Sequence, residues 1–238
     1  MTKSDHNNVI IACDFDSADA LYRFLPQFGE SRPYLKIGME LYYAAGPAIV
    51  RELKSKGFPI FLDLKLHDIP NTVKKAMSVL SKLDVDMCNL HASGGIAMMK
   101  AAVEGLTRKD GSRPILLAVT QLTSTSRETM NNELLIDGPV ERVVAQYAKN
   151  AREAGLDGVV CSPLEAGIVK KECGDDFLTV TPGVRFSNSD TQDQKRVTTP
   201  ALARELGSDY IVVGRPITGA QNPYEAYMRC LAEFNGIE

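Results

Sequence analysis

Residues 61–72 read FLDLKLHDIPNT, an apolar strand that runs into two acids and an amine. In an extended segment, residues two apart face the same side. Asp63 and Lys65 therefore point together, toward whatever that strand lines. A carboxylate beside an ammonium in a partly dry pocket can hold the amine protonated and aim its proton. The same D-x-K spacing also fits a plain salt bridge at a strand end. Just beyond it Val73, Ala76, Met77 and Leu80 recur at helical spacing, so a strand, a cluster of ionisable groups and a helix follow one another.

That unit repeats. Short apolar runs at 9–13, 34–37, 60–64, 87–90, 115–119, 158–161, 178–180 and 210–213 read as strands. Helical stripes stand between them: Leu21, Phe24, Leu25 and Phe28, then Val140, Val143, Val144, Tyr147 and Ala151, and at the end Tyr227, Cys230, Leu231 and Phe234. Asp137 is placed to cap the second of these. Alternating strands and helices imply parallel pairing with right-handed crossovers. Eight such units in 238 residues predict an α/β fold of the (β/α)8 TIM-barrel type. An open doubly wound sheet that bound a dinucleotide would want G-x-G-x-x-G after its first strand, and CDFDS stands there instead. No linker or low-complexity tract interrupts the pattern, so one barrel domain over 1–238 is expected. The polar stretch RFSNSDTQDQKR (185–196) is either a lid, within a mobile loop at about 183–196, or an idle surface loop.

Composition narrows the function classes. Apolar residues are 44% and charged residues 24%, ordinary for a chain with a sizeable core. The net charge of −3 gives no basic surface for nucleic acid or an acidic membrane face. No apolar run is long enough to span a bilayer, and MTKSDHNN shows no signal peptide. The five scattered cysteines form no C-x-x-C and read as reduced core thiols of a cytoplasmic protein. No H-x-x-x-H, H-E-x-x-H or carboxylate-rich loop suggests a metal.

In a barrel the C-terminal strand ends share one mouth. Here those ends carry Asp14, Lys36, Asp63, Lys65, His91, Thr123, Ser124, Pro182, Arg185, Gly214 and Arg215, and the opposite ends show no comparable set. VVGRPIT (212–218) fits a phosphate site, since glycine admits an anion close to the backbone and Arg215 can donate two bonds. A helix-start glycine with a surface arginine is the plainer alternative. His91, before Ala-Ser-Gly-Gly, is either a base or a histidine satisfied by neighbouring backbone.

The motifs D-L-K-L-H-D-I-P-N-T, C-D-F-D, Y-L-K-I-G, TPGVR, D-Q-K-R and V-V-G-R-P-I-T together resemble bacterial orotidine 5′-phosphate decarboxylase, in order from about 9 to about 223. Cys13 falls where another small or apolar residue is expected. The resemblance implies cofactor-independent, metal-free conversion of orotidine 5′-monophosphate (OMP) to UMP and carbon dioxide. It implies Lys65 as proton donor to C6, Asp63 beside the departing carboxylate, Lys36 linking ribose to the charged array, and Asp14 on the ribose. Thr123 and Ser124 would face the pyrimidine, while Arg215, the Gly214 amide and Gln194 would hold phosphate. Pro182 and Arg185 would start the closing loop. Asp68 and Thr72 would complete the partner's site in a homodimer. The alternatives are a magnesium-dependent sugar-phosphate decarboxylase or aldolase of the same barrel superfamily, and a non-catalytic phosphate-binding barrel. Continuation of the third strand's motif into I-P-N-T, and Gln194, favour the orotidine reading.

Overall fold

Parallel strands covered on both faces need apolar residues on both. The computed structural model describes residues 8–186 and 198–237. Its strands are β1 (Val9–Ala12), β2 (Tyr34–Gly38), β3 (Ile60–Leu66), β4 (Met87–His91), β5 (Ile115–Val119), β6 (Gly158–Val160), β7 (Leu178–Pro182) and β8 (Tyr210–Val213). They close in that order into a parallel barrel, with Ile10 of β1 opposite Val212 of β8. All eight expected runs are strands.

The two-residue alternation sorts each strand's side chains. Ile10, Tyr34, Phe61, Met87, Leu117, Val180 and Val212 fill the barrel interior. Val9, Ile11, Leu35, Ile60, Leu62, Cys88 and Val213 face outward and pack with the buried stripes of the helices. Those stripes include Leu21 and Phe24, Val73 and Met77, Val143 and Val144, and Tyr227 and Phe234. Burial of each such aliphatic side chain contributes about 1.5–3 kcal/mol. The helices Pro70–Leu80 and Gly95–Leu106 approach so closely at Gly105 that a Cβ there would lie 2.1 Å from the Lys74 carbonyl oxygen.

Two expectations are corrected. Asp137 does not cap the helix Val140–Glu153, whose N-cap is Pro139. Asp137 lies two residues before that N-cap, and its carbonyl instead accepts from the Arg142 guanidinium at 2.7 Å. The N-terminal ends of the strands also carry ionisable groups after all. Asp86, Asp157 and Asp209 stand just before β4, β6 and β8. Each accepts a backbone N–H from the start of the preceding strand: Ile60 at 2.7 Å, Leu116 at 2.7 Å and Thr179 at 2.8 Å. Each also pairs with a cation, respectively Lys54, Arg113 and Lys170. These acids tie adjacent strands through backbone N–H groups and nearby cations.

Candidate active site

β3 is where the barrel leaves regular pairing. Leu62 pairs with Cys88 and Leu66 with Leu90, so four steps along β3 match two along β4. Two extra residues preserve the parity of the strand, and Asp63 and Lys65 both face the mouth, as alternation predicts. Lys65 has φ 51°, in the left-handed region that residues other than glycine enter rarely. Such a conformation costs roughly 1–3 kcal/mol and clusters at functional sites. The Lys65 N–H donates to Asn89 Oδ1 at 2.8 Å, and Asn89 Nδ2 donates to Asp63 Oδ1 at 2.7 Å.

Four charged groups alternate in sign from there. Lys65 Nζ lies 2.7 Å from Asp63 Oδ1, Lys36 Nζ lies 3.3 Å from Asp63 Oδ2, and Lys36 Nζ also lies 2.8 Å from Asp14 Oδ1. The inner pair, Asp63 and Lys36, keeps only 10% and 11% of its side-chain surface exposed, against 24% for Lys65 and 57% for Asp14. Burial alone would raise the Asp63 carboxyl, but Lys36 and Lys65, with bonds from Lys65 and Asn89, hold it below its ordinary range. Burial likewise pulls the Lys36 ammonium down, and Asp63 and then Asp14 more than offset it, so its pKa is raised. Gly38 leaves room for this contact, since a Cβ there would sit 3.0 Å from Asp14 Oδ1 and 3.1 Å from Lys36 Nζ.

The array lines a cavity of about 640 Å³ at the C-terminal mouth. Thr123 and Ser124 line it beyond β5, Pro182 and Arg185 at and after β7, and Gly214 and Arg215 after β8. The structure thus gathers Asp14, Lys36, Asp63, Lys65 and those six residues around one space. Asp68 and Thr72 are not among its lining residues within this chain: both are exposed, and Asp68 Oδ1 accepts from the Ile69 N–H at 2.7 Å. Gln194 and residues 187–196 of the loop lie outside the described residues. His91 stands 5.7 Å from His67 between ring centroids, and burial, then His67 and Lys65, lower its pKa from the ordinary imidazole value.

Three lining residues with polar or thiol side chains were not singled out as site residues by sequence: Asn89, Gln121 and Cys161. Asn89 had a readable signal, a polar residue inside the run MCNLH and in phase with the inward Met87. Cys161 is buried, which pushes its thiol well above the ordinary range, so it contributes shape and not a thiolate. Among the described residues no group of three or more His, Cys, Asp or Glu side chains is arranged to hold a metal ion. No helix there is long and apolar enough to cross a membrane.

Known proteins are similar to this chain in sequence and in fold. The orotidine 5′-phosphate decarboxylase from Bacillus cereus (strain AH187) is 55% identical over 233 residues, covering 97% of this chain and 98% of that one. The enzyme of the same name from Bacillus cytotoxicus is also 55% identical over the same span. The crystal structure of orotidine 5′-phosphate decarboxylase from Lactobacillus acidophilus superposes with a TM-score of 0.86 at 44% identity, covering 96% of this chain and 99% of that one. An uncharacterised conserved protein from Geobacillus kaustophilus superposes with a TM-score of 0.85 at 48% identity, covering 95% of this chain and 100% of that one. The family model that fits residues 7–230 is the one these enzymes' name describes, and the chain belongs to the orotidine 5′-phosphate decarboxylase / HUMPS family.

Proposed function

We propose that this chain decarboxylates OMP to UMP, the last step of de novo pyrimidine synthesis, in the cavity around Lys65. The observation that carries the reading is Lys65 itself: an ammonium held at 2.7 Å against a buried carboxylate, at a left-handed bulge on the cavity wall. Breaking the bond from C6 to the carboxylate leaves an electron pair in the ring plane, where the π system cannot delocalise it. A fixed cation beside C6 stabilises that charge without reorganising during the step. Carbon dioxide departs neutral, Lys65 Nζ gives its proton to the C6 pair, and the neutral amine is reprotonated from water.

The other roles follow from position and chemistry. Asp63 aims Lys65 and lies beside the departing group. Lys36 and Asp14, 2.8 Å apart, take the ribose hydroxyls. Thr123 and Ser124 face the base. Arg215, the Gly214 amide and Gln194 take the phosphate, while Pro182 and Arg185 begin the loop over it. No cofactor is required, because the array supplies both charge and proton. The whole chain then acts as one barrel domain, and the five buried, unpaired thiols support a cytoplasmic setting.

The reading includes a homodimer. Asp68 and Thr72 stand exposed at the mouth beside Ile69, which keeps 66% of its surface open to water. A second copy laid there would cover Ile69 and carry Asp68 toward its own neighbour's cavity. Mixing inactive Asp68→Ala and Lys65→Ala subunits then restores activity, because one site of the mixed dimer receives both changes and the other neither. No recovery after verified subunit exchange removes the shared site. The reaction itself is tested by following the ultraviolet absorbance of OMP with purified protein in excess EDTA. Loss of the orotate chromophore supports the proposal. An unchanged spectrum from folded protein that still binds UMP redirects the search to magnesium-dependent sugar-phosphate chemistry.

A further inference from the structure

Asn89 is buried, inward-facing and absent from every role assigned above, yet both halves of its amide are committed. Oδ1 accepts from the Lys65 backbone N–H at 2.8 Å, and Nδ2 donates to Asp63 Oδ1 at 2.7 Å. That same carboxylate oxygen also accepts from Lys65 Nζ at 2.7 Å. One amide therefore fixes the backbone of the left-handed lysine and the carboxylate that aims its side chain. The bonding also fixes how the amide is turned, since an N–H only donates and a carboxylate only accepts. Reversed, the amide would set donor against donor and acceptor against acceptor.

We propose that Asn89 is a positioning residue for proton transfer, pinning the β3 bulge so that Lys65 Nζ and Asp63 Oδ1 keep one geometry. This rests on the decarboxylase reading of the same site. Any replacement must accept on one side and donate on the other. Leucine, similar in size, does neither. A carboxylate accepts from Lys65 but meets Asp63 as a like charge, whereas a neutral carboxylic acid does both. The charged and titratable groups around position 89 are Asp63 and Lys65 from β3, Lys36 from β2, Asp14 beyond β1, His91 on β4 itself, and His67. The contact with Asp63 dominates by proximity and holds an introduced carboxyl above its ordinary range, as when two carboxylates share one site.

The test compares wild type, Asn89→Leu and Asn89→Asp for kcat and KM on OMP and for UMP affinity, between about pH 5 and 8. Asn89→Leu is expected to lose about 100-fold in kcat at every pH while UMP affinity stays within about threefold. Asn89→Asp is expected to lose as much at the alkaline end, and its kcat relative to wild type climbs by up to about tenfold per pH unit as the pH falls. If Asn89→Leu does not fold, the isosteric Asn89→Asp carries the test through that ratio. Asn89→Leu with kcat within about threefold of wild type, or Asn89→Asp within about threefold at the alkaline end, overturns the proposal. So does a pH-independent Asn89→Asp ratio, which would mark a merely structural role. A wild type that leaves OMP unchanged would instead sink the decarboxylase reading, so the two failures are told apart.

Discussion

Asp63→Asn keeps the shape of the side chain and removes the charge at the centre of the array. Asp63 accepts three donors: Lys65 Nζ and Asn89 Nδ2 at Oδ1, each at 2.7 Å, and Lys36 Nζ at Oδ2, at 3.3 Å. Whichever way the new amide turns, its NH2 faces either two donors or an ammonium. At an effective dielectric constant near 20, the two ion pairs carry Coulomb attractions of about 6 and 5 kcal/mol. Desolvation of the three groups offsets most of that, and removing one partner of a buried pair typically costs about 3–5 kcal/mol. Lys36 keeps Asp14 and Lys65 opens toward the mouth, which places this case near about 3 kcal/mol. For a domain of this size that lowers Tm by about 6–12 °C. The assay is thermal unfolding by circular dichroism at pH 7, alongside OMP turnover, which should fall by at least about 100-fold. A Tm within about 2 °C of wild type would refute the claim that Asp63 is the electrostatic hub.

Other perturbations separate the parts of the molecule. Arg215→Ala should lower kcat/KM on OMP by roughly a hundredfold or more and leave the slow turnover of bare orotidine within about threefold. Equal losses on both substrates would remove Arg215 from the phosphate site. Asp209→Ala, at the N-terminal end of the barrel, removes the carboxylate partner of Lys170 and the acceptor of the Thr179 N–H, while Lys170 keeps the Asp175 and Phe177 carbonyls and the Thr179 hydroxyl keeps that of Gly207. It should destabilise by about 3 kcal/mol in urea titrations with kcat unchanged, and a comparable fall in kcat would contradict its purely structural role. The pH dependence of stability has two signs. The depressed Asp63 carboxyl contributes stability present above the ordinary carboxylate range of about 4 and lost as pH falls through its folded value. The raised Lys36 ammonium contributes stability present below about 10.4 and lost as pH rises through its folded value. Denaturant midpoints measured across pH should show a plateau between these limits. In Asp63→Asn the acid limb should be shallower, and an unaltered limb would count against the assignment.

The barrel was legible because each strand obeys a local rule, apolar on both faces, and the helices carry stripes that need no long-range knowledge. Asp63 and Lys65 were legible for the same reason, and a bulge of two residues left their parity intact. A bulge of one would have turned Lys65 away from the mouth, and the sequence does not distinguish the two cases. Asn89 escaped because its importance lies in two hydrogen bonds across strands, which periodicity does not encode. The acids at the N-terminal strand ends escaped similarly. Asp86, Asp157 and Asp209 each precede a strand by one residue, and only the folded register shows which N–H and which cation each one meets. Within this chain the Asp68 carboxylate accepts from the neighbouring Ile69 N–H, and its proposed place in a partner's site is not encoded by local periodicity.

The central claim is that the Lys65 ammonium both stabilises and protonates C6, and Lys65→Ala tests it most directly. The measurement is single-turnover carbon dioxide release from saturating OMP, paired with UMP affinity on the same preparation. The account predicts no detectable release while UMP still binds within about tenfold of wild type. Release within about tenfold of the wild-type rate would contradict it, because the proton and the field at C6 would then come from elsewhere.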